Sequence, residues 1–295
     1  MKITLFTPTY NRAYILETLY ISIQRQSFRD FEWLIIDDGS TDNTEELVKS
    51  WIDEPNDFPI RYVKVANGGK CRAINRALDL ARGELFFTID SDDYLTDNAL
   101  EKIAEWEGKL PQEGKYCGVS GNLGASETNT PNTIFSTEFH DGDLLDRYRK
   151  VDGERAFAFY TQVHRHYKYP VFLNERFMTE AVAYNRMAHD GYLMRFYNDI
   201  VCVYEYQDDG LTKAGNRLFL QNPQGYGLWL REKEKFMSAG LKSRFRLWYT
   251  YYCEMSFCEE QYRITKRQCA EYIGAPLWTM YVSAVIHKAK TIIKG

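Results

Sequence analysis

The sequence predicts an α/β fold: a doubly wound, mostly parallel sheet followed by a C-terminal helical appendage. Three observations carry this. Apolar runs of strand length alternate with helical stretches through residues 1 to about 100. Each of the first four apolar runs ends in a polar, turn-forming segment. After roughly Gly215 the alternation stops and the chain becomes helical, aromatic and basic in patches.

The strand candidates are ITLFTP, FEWLIID, IRYVKVA and ELFFTID, and the helical stretches between them lie near residues 13–26, 44–52 and 70–81. Asp42 with Glu45 three residues on has the spacing of a capping box. Gly83, after the stripe Ala73, Ile74, Ala77, Leu78 and Ala81, reads as a helix stop. Right-handed crossovers make these strands parallel neighbours, and ligands of such sheets sit outside the carboxyl ends of the strands. TYNR, DDGSTD, NGGK and DSDD each follow one of the four strands, so all four are expected to converge on one crevice.

Residues 111–143 read as a loop-rich segment facing that crevice, with CGVSGNL as a further strand inside it. A short helix around 144–148, a strand-like aromatic run AFAFYTQVHRHY and a helix opening near Thr179 follow. LMRFYN and IVCVYEY then read as two strands before the polar turn QDDGLTKAG. The expected organisation is one domain over 1–215, in two halves 1–100 and 101–215, with a helical region over 216–295.

With 295 residues, 44% of them hydrophobic, the chain can bury a sizeable core. A formal net charge of -4 supplies no overall basic field, which argues against nucleic acid as a partner. Six cysteines without a CxxC pair, several inside apolar runs, fit a reducing cytoplasm. MKITLFTPTYNR lacks the features of a signal peptide, and no apolar window reaches membrane-spanning length, so a cytoplasmic protein, at most peripheral on the inner face of a membrane, is expected.

The chemistry concentrates in DSDD, Asp90 to Asp93, where a strand able to bury its whole length ends in clustered negative charge. Such a cluster is costly unless cations or donors meet it. Alternate carboxylates of a D-x-D turn point to the same side and suit Mg2+ or Mn2+; a plain turn with a helix cap is the competing account. In DDGSTD, Gly39 permits a tight turn and a carboxylate can accept the N–H of a base, although D-D-G-S is also an ordinary turn. NGGKCRAIN opens a helix with paired glycines followed by Lys70 and Arg72, where phosphate or base can approach backbone; it has neither P-loop nor GxGxxG spacing.

Taken together, PTYNR at Pro8 to Arg12, IIDDGSTDNT, the GGKxxAxNxA pattern and DSDD after ELFFTI resemble the nucleotide-sugar domain of family 2 glycosyltransferases with a GT-A fold. The resemblance covers residues 1 to about 100, and it is the order and spacing of four motifs that make it specific. It implies inverting transfer from a nucleoside diphosphate sugar, usually UDP-linked, with a divalent metal. By family pattern Pro8, Tyr10 and Arg12 line the nucleotide pocket, Asp37 or Asp38 reads the base, and Lys70 and Asn75 lie beside the nucleoside. Asp90 falls on the ribose side, Ser91 is a further donor-binding candidate, Asp92 ligates the metal and Asp93 orients the donor sugar.

For the catalytic base the family shows an E-D pair at a helix start. Here "NERFMTEAVAYNRMA" has Glu180 after Thr179 with no Asp following, and Glu180 is taken as the base; an acid in a helix's first turn also simply meets the dipole. Glu175 is the next candidate, against an account as a solvated charge. In QDDGLTK, Asp208 or Asp209 would add a metal contact and Lys213 or Arg217 a phosphate contact, with an ordinary Asp-Asp-Gly turn as the alternative. His164 and His166 alternate on one face of a strand in VHRHY and lack the further ligands zinc needs, so they read as an acceptor contact or plain surface. Phe157, Phe159, Tyr160 and Tyr167 are candidates for stacking on a sugar acceptor, with core packing the alternative. Near the C-terminus, Trp278, Tyr281, Val285 and Ile286 mix with Lys288, Lys290 and Lys294, so this helix either meets an anionic membrane, which would suit a lipid-linked acceptor, or packs against protein. A metal-dependent nucleotidyltransferase and a non-catalytic nucleotide-sugar binding module are the alternatives to a glycosyltransferase acting in surface polysaccharide synthesis.

Overall fold

The computed structural model describes residues 1–205, 207, 211–237 and 240–294. The chain divides into two compact units, Met1–Lys168 with Arg186–Asp208, and Tyr169–Asn185 with Asp209–Gly295.

The first unit opens β1 (Ile3–Thr9), α1 (Leu16–Gln24), β2 (Phe31–Asp37), α2 (Thr44–Asp53), β3 (Ile60–Lys64), α3 (Lys70–Leu80) and β4 (Leu85–Thr88), the alternation the sequence predicts. There follow β5 (Tyr94–Leu95), α4 (Ala99–Gly108), β6 (Tyr116–Gly124), β7 (Phe139–Asp143), a 3-10 turn (Leu144–Tyr148), β8 (Arg155–Tyr160), α5 (Thr161–His166), α6 (Ala181–His189), whose residues up to Asn185 fall in the second unit, and β9 (Leu193–Val203). The sheet runs β3-β2-β1-β4-β8-β6-β9-β5, with β7 paired to β9. β3, β2, β1 and β4 are mutually parallel, while β8 joins β4 and β6 antiparallel. Thr9 is in register with Asp37, and Asp37 with Lys64. The segments after these strands therefore leave the sheet at one edge.

All seven residues of β2 are buried, as a parallel strand covered on both faces requires. Ile3, Leu5, Phe31, Trp33, Ile35, Leu85 and Phe87 pack with Leu19, Tyr20, Ile23, Trp51, Leu100 and Trp106 in one core. Tyr20 and Trp51 stack with ring centroids 4.4 Å apart. A carboxylate sits inside this strand: Glu32, with no solvent contact, accepts from Arg61 Nη1 at 2.7 Å, Thr4 Oγ1 at 2.8 Å and the Arg82 backbone N–H at 2.9 Å. Glu32→Ala takes the acceptor from Thr4 Oγ1 and the charge partner from Arg61, while Arg61 Nη1 keeps Leu80 O and the Arg82 N–H keeps Thr4 Oγ1, and it is expected to lower the unfolding free energy by about 2 kcal/mol. Denaturant titration reads this, and an unchanged midpoint would contradict it.

Several local expectations are corrected. AFAFYTQVHRHY is not one strand: after Tyr160 the chain turns into α5, tied down by Thr161 Oγ1 donating to Gly83 O and Thr161 N to Glu84 O. On a helix His164 and His166 diverge; His164 is buried against the rings of Phe86 and Phe159, and His166 is exposed. LMRFYN and IVCVYEY join into β9, whose polar middle coincides with irregular pairing to β6. Asp42 and Glu45 form no capping box: Asp42 accepts from Thr44 and from Ala13 N, and Glu45 pairs with Lys49 and Lys64. Gly83 follows the Ala81 cap of α3, and its need is steric, since a Cβ there would lie 2.2 Å from Thr4 N.

The second unit holds α7 (Leu211–Ala214), α8 (Asn216–Gln221), α9 (Pro223–Phe236), α10 (Leu241–Phe257), α11 (Lys266–Ile273) and α12 (Leu277–Lys294). Tyr251, Tyr252, Met255, Cys269, Ala270, Ile273 and Met280 form its core. Glu175 is not a solvated charge: it is buried and accepts from Gln224 N at 2.7 Å and Gly225 N at 2.9 Å in the first turn of α9. Burial pushes its carboxyl up. Among the described residues no helix is long and apolar enough to cross a membrane.

Candidate active site

The loops leaving β1 and β2 are laced together. Asp38 N donates to Thr9 O at 2.8 Å, Asn11 N to Ser40 Oγ at 2.8 Å, Thr41 N to Asn11 Oδ1 at 2.8 Å, and Arg12 N to Thr44 Oγ1 at 3.1 Å. Asn11 holds a left-handed φ of 53°, the strain a short polar side chain tolerates best. Pro8, next to the end of β1, is half-buried, Tyr10 presents an exposed ring and Arg12 is half-buried.

Asp37 and Asp38 differ in what they hold. Asp37 has no solvent contact, its carboxylate accepting from Ser40 N at 2.7 Å and from the Tyr62 hydroxyl. Asp38 keeps 6% exposure and accepts from Gly68 N and Gly69 N, both at 2.7 Å, and from Asn67 Nδ2 at 3.2 Å. The backbone amides that the paired glycines offer to a ligand are thus met by a carboxylate of the chain. Gly39, φ 82°, makes room for this, since a Cβ there would lie 2.9 Å from Asn67 N.

The same turn launches α3, whose first residue, Lys70, reaches Asp90 at 2.7 Å to Oδ1 and 2.8 Å to Oδ2. Asn75 lies half-buried further along α3. Beyond β4 the backbone turns, Asp93 N donating to Asp90 O at 3.2 Å, with Ser91 buried and Asp92 and Asp93 half-buried. Burial, then the adjacent Asp90, pushes the Asp92 carboxyl up, with Arg12 and Lys70 pulling it back down. Burial and the charges of Asp90 and Asp92 push Asp93 up to about 8. The sequence-predicted residues Arg12, Lys70, Asp90, Asp92 and Asp93 thus share one electrostatic site, and Asp38 is joined to it through the turn that carries Lys70.

Glu180 lies in the second unit, one residue before α6, where its Oε2 accepts from Tyr184 OH at 2.7 Å. Sequence reading missed Tyr184, although its i+4 spacing from Glu180 was a usable signal. Asp208 and Asp209 lie outside the described residues, and Arg217 donates to the Tyr262 hydroxyl. Phe159 is buried and stacks on Phe157, and Tyr160 donates to Glu107 at 2.9 Å.

Among the described residues no group of three or more acids, histidines or cysteines could hold a metal by itself. The crowding that raises Asp92 and Asp93 is relieved by added positive charge. With Asp90 committed to Lys70, the residues fit a cation shared between Asp92 and oxygens of a ligand, the mode Mg2+ adopts with substrate phosphates.

The sequence profile of Glycosyl transferase family 2 matches residues 4–170, more than half of the chain, and the chain belongs to this family. A GalNAc(5)-diNAcBac-PP-undecaprenol beta-1,3-glucosyltransferase of Campylobacter jejuni is 35% identical over 127 residues, 41% of this chain and 38% of that protein. The poly(ribitol-phosphate) beta-N-acetylglucosaminyltransferase TarS of Staphylococcus aureus is 33% identical over 106 residues, 35% of this chain and 18% of TarS. The chain therefore matches well under half the length of either relative. Among solved structures, S. aureus TarS 1-349 in complex with UDP-GlcNAc covers 98% of this chain and 92% of its own, with TM-score 0.60 at 15% identity. The mannosyltransferase PcManGT from Pyrobaculum calidifontis, in complex with GDP-Man and Mn2+, covers 98% and 75%, with TM-score 0.55 at 19% identity. The fold is that of the GT-A glycosyltransferases.

Proposed function

We propose that this protein is an inverting glycosyltransferase that moves a sugar from a UDP-linked donor to a saccharide acceptor, lipid-linked or polymeric, in surface polysaccharide synthesis. The observation that carries the reading is the gathering of Asp90, Asp92 and Asp93 with Lys70 and Arg12 beyond β4 in a family 2 chain. The named activities of the two relatives, on an undecaprenol-linked and a poly(ribitol-phosphate) acceptor, support the acceptor class.

Tyr10 and Pro8 flank the base, and Asp38, the one of its pair with residual exposure, accepts the base N–H. Asn75 and Lys70 lie beside the nucleoside, Asp90 and Ser91 beside the ribose. Asp92 is the metal ligand; bound there, Mn2+ or Mg2+ would supply Lewis-acid stabilisation of the departing diphosphate. Arg12 and Lys70 add fixed positive charge on the same side. Asp93 orients the donor sugar. Glu180 takes the acceptor hydroxyl proton while that oxygen attacks the anomeric carbon and the bond to the diphosphate breaks on the opposite face.

A panel of nucleotide sugars, assayed with and without Mn2+ for thermal stabilisation and slow donor hydrolysis, tests the reading. UDP release from one donor is expected. Release of pyrophosphate from a nucleoside triphosphate would assign a nucleotidyltransferase, and stabilisation without turnover a binding module.

A further inference from the structure

α12 is folded inside out. Trp278, Val282 and Val285 fall within an arc of about 60° of the helix, with Tyr281 and Ile286 on its margins, and all five are exposed, Val285 at 69% and Trp278 at 56%. The buried side carries Met280 together with the hydroxyls of Thr279 and Ser283, at 2% and 5% exposure. A helix that serves only its own domain turns its apolar stripe inward. The stripe continues onto α10, where the exposed Phe245 ring lies 6.0 Å from that of Trp278 and Leu241 is 72% exposed.

The charges around the stripe have one sign. No Asp or Glu occurs in residues 277–295 or in 241–253. Exposed Lys288 and Lys290 flank the stripe on opposite sides, Lys242 and Arg246 are exposed beside Phe245, and Lys266 Nζ lies 5.7 Å from the Tyr281 ring. Apolar side chains with Trp and Tyr, bordered by lysines, are the composition of a helix lying in a bilayer interface. A second copy packed on this face by two-fold symmetry would bring the same lysines together, which like charges oppose.

We propose that this face, α12 with the start of α10, seats the protein on an anionic lipid surface, the stripe entering the headgroup boundary and the lysines meeting lipid phosphates. The proposal extends the lipid-linked option of the proposed function, and its test is independent of donor chemistry. The full chain is sedimented with vesicles of phosphatidylcholine alone and with vesicles in which about a third of the lipid is phosphatidylglycerol. Strong binding to the anionic vesicles only is expected. Val285→Asp, at an exposed position, should weaken it by at least about tenfold, and Lys288→Glu with Lys290→Glu by about twentyfold or more, near fivefold per lysine. Donor hydrolysis in solution should be unchanged in all these variants. Equal binding to both vesicles, no binding, or binding indifferent to Val285→Asp overturns the proposal. A dimer that Val285→Asp dissolves, without vesicle binding, overturns it in favour of a second copy.

Discussion

Asp92→Asn is expected to lower kcat by about a thousandfold while leaving the protein folded and at least as stable as the parent. The activity loss follows from removing the one carboxylate of the cluster assigned to the cation. The stability half follows from the sign of the pKa displacement. In the folded chain the Asp92 carboxyl sits above its ordinary value because of burial and the neighbouring Asp90. A carboxyl raised on folding binds its proton more tightly in the folded state, so its ionisation weakens folding as pH rises from the unfolded value through the folded one. Asn removes that ionisation and leaves Asp93 one fewer like charge nearby. Steady-state kinetics with saturating donor and Mn2+, beside melting curves without metal at neutral pH, read both halves. Retained metal-dependent turnover would remove Asp92 from the site, and a clear drop in melting temperature would show that its carboxylate is a structural partner instead.

Glu180→Gln is expected to reduce kcat by between about a hundredfold and ten-thousandfold, with donor binding unchanged. The substitution keeps size and polarity but cannot take up the acceptor proton. The Tyr184 hydroxyl, on α6, donates to the Glu180 carboxylate at 2.7 Å and so fixes its rotamer just ahead of the helix. Tyr184→Phe should accordingly lower kcat by a smaller factor, about tenfold, since it removes a positioning hydrogen bond and leaves the base itself. Donor affinity by calorimetry separates these effects from damage to the nucleotide pocket. Full transfer activity in Glu180→Gln would move the base to another residue.

The parallel half of the sheet was legible because β1, β2 and β4 are largely buried and read as mostly apolar runs, and because each of the four strands ends in a polar segment. The DSDD cluster was legible for a related reason, since clustered acid after a buried strand has no inexpensive structural account. What escaped the sequence depended on partners distant in the chain. Periodicity could not divide AFAFYTQVHRHY, because the start of α5 is fixed by hydrogen bonds from Thr161 to Gly83 and Glu84. Glu175 looked solvated because its donors, Gln224 N and Gly225 N, lie about fifty positions on. Glu32, the second residue of FEWLIID, was passed over because its partners Arg61 and Arg82 come from later segments.

The clamp of Asp38 on the amides of Gly68 and Gly69 determines how this molecule can grip an anion. In a phosphate-binding loop of the Walker type, bare amides at a helix start hold the phosphates. Here the equivalent groups ahead of α3 are already neutralised from within, so that helix end has little attraction left to offer. On the proposed reading, a departing nucleoside diphosphate would be held by the side chains of Arg12 and Lys70 and by an exchangeable ion at Asp92, all of which can release it after transfer.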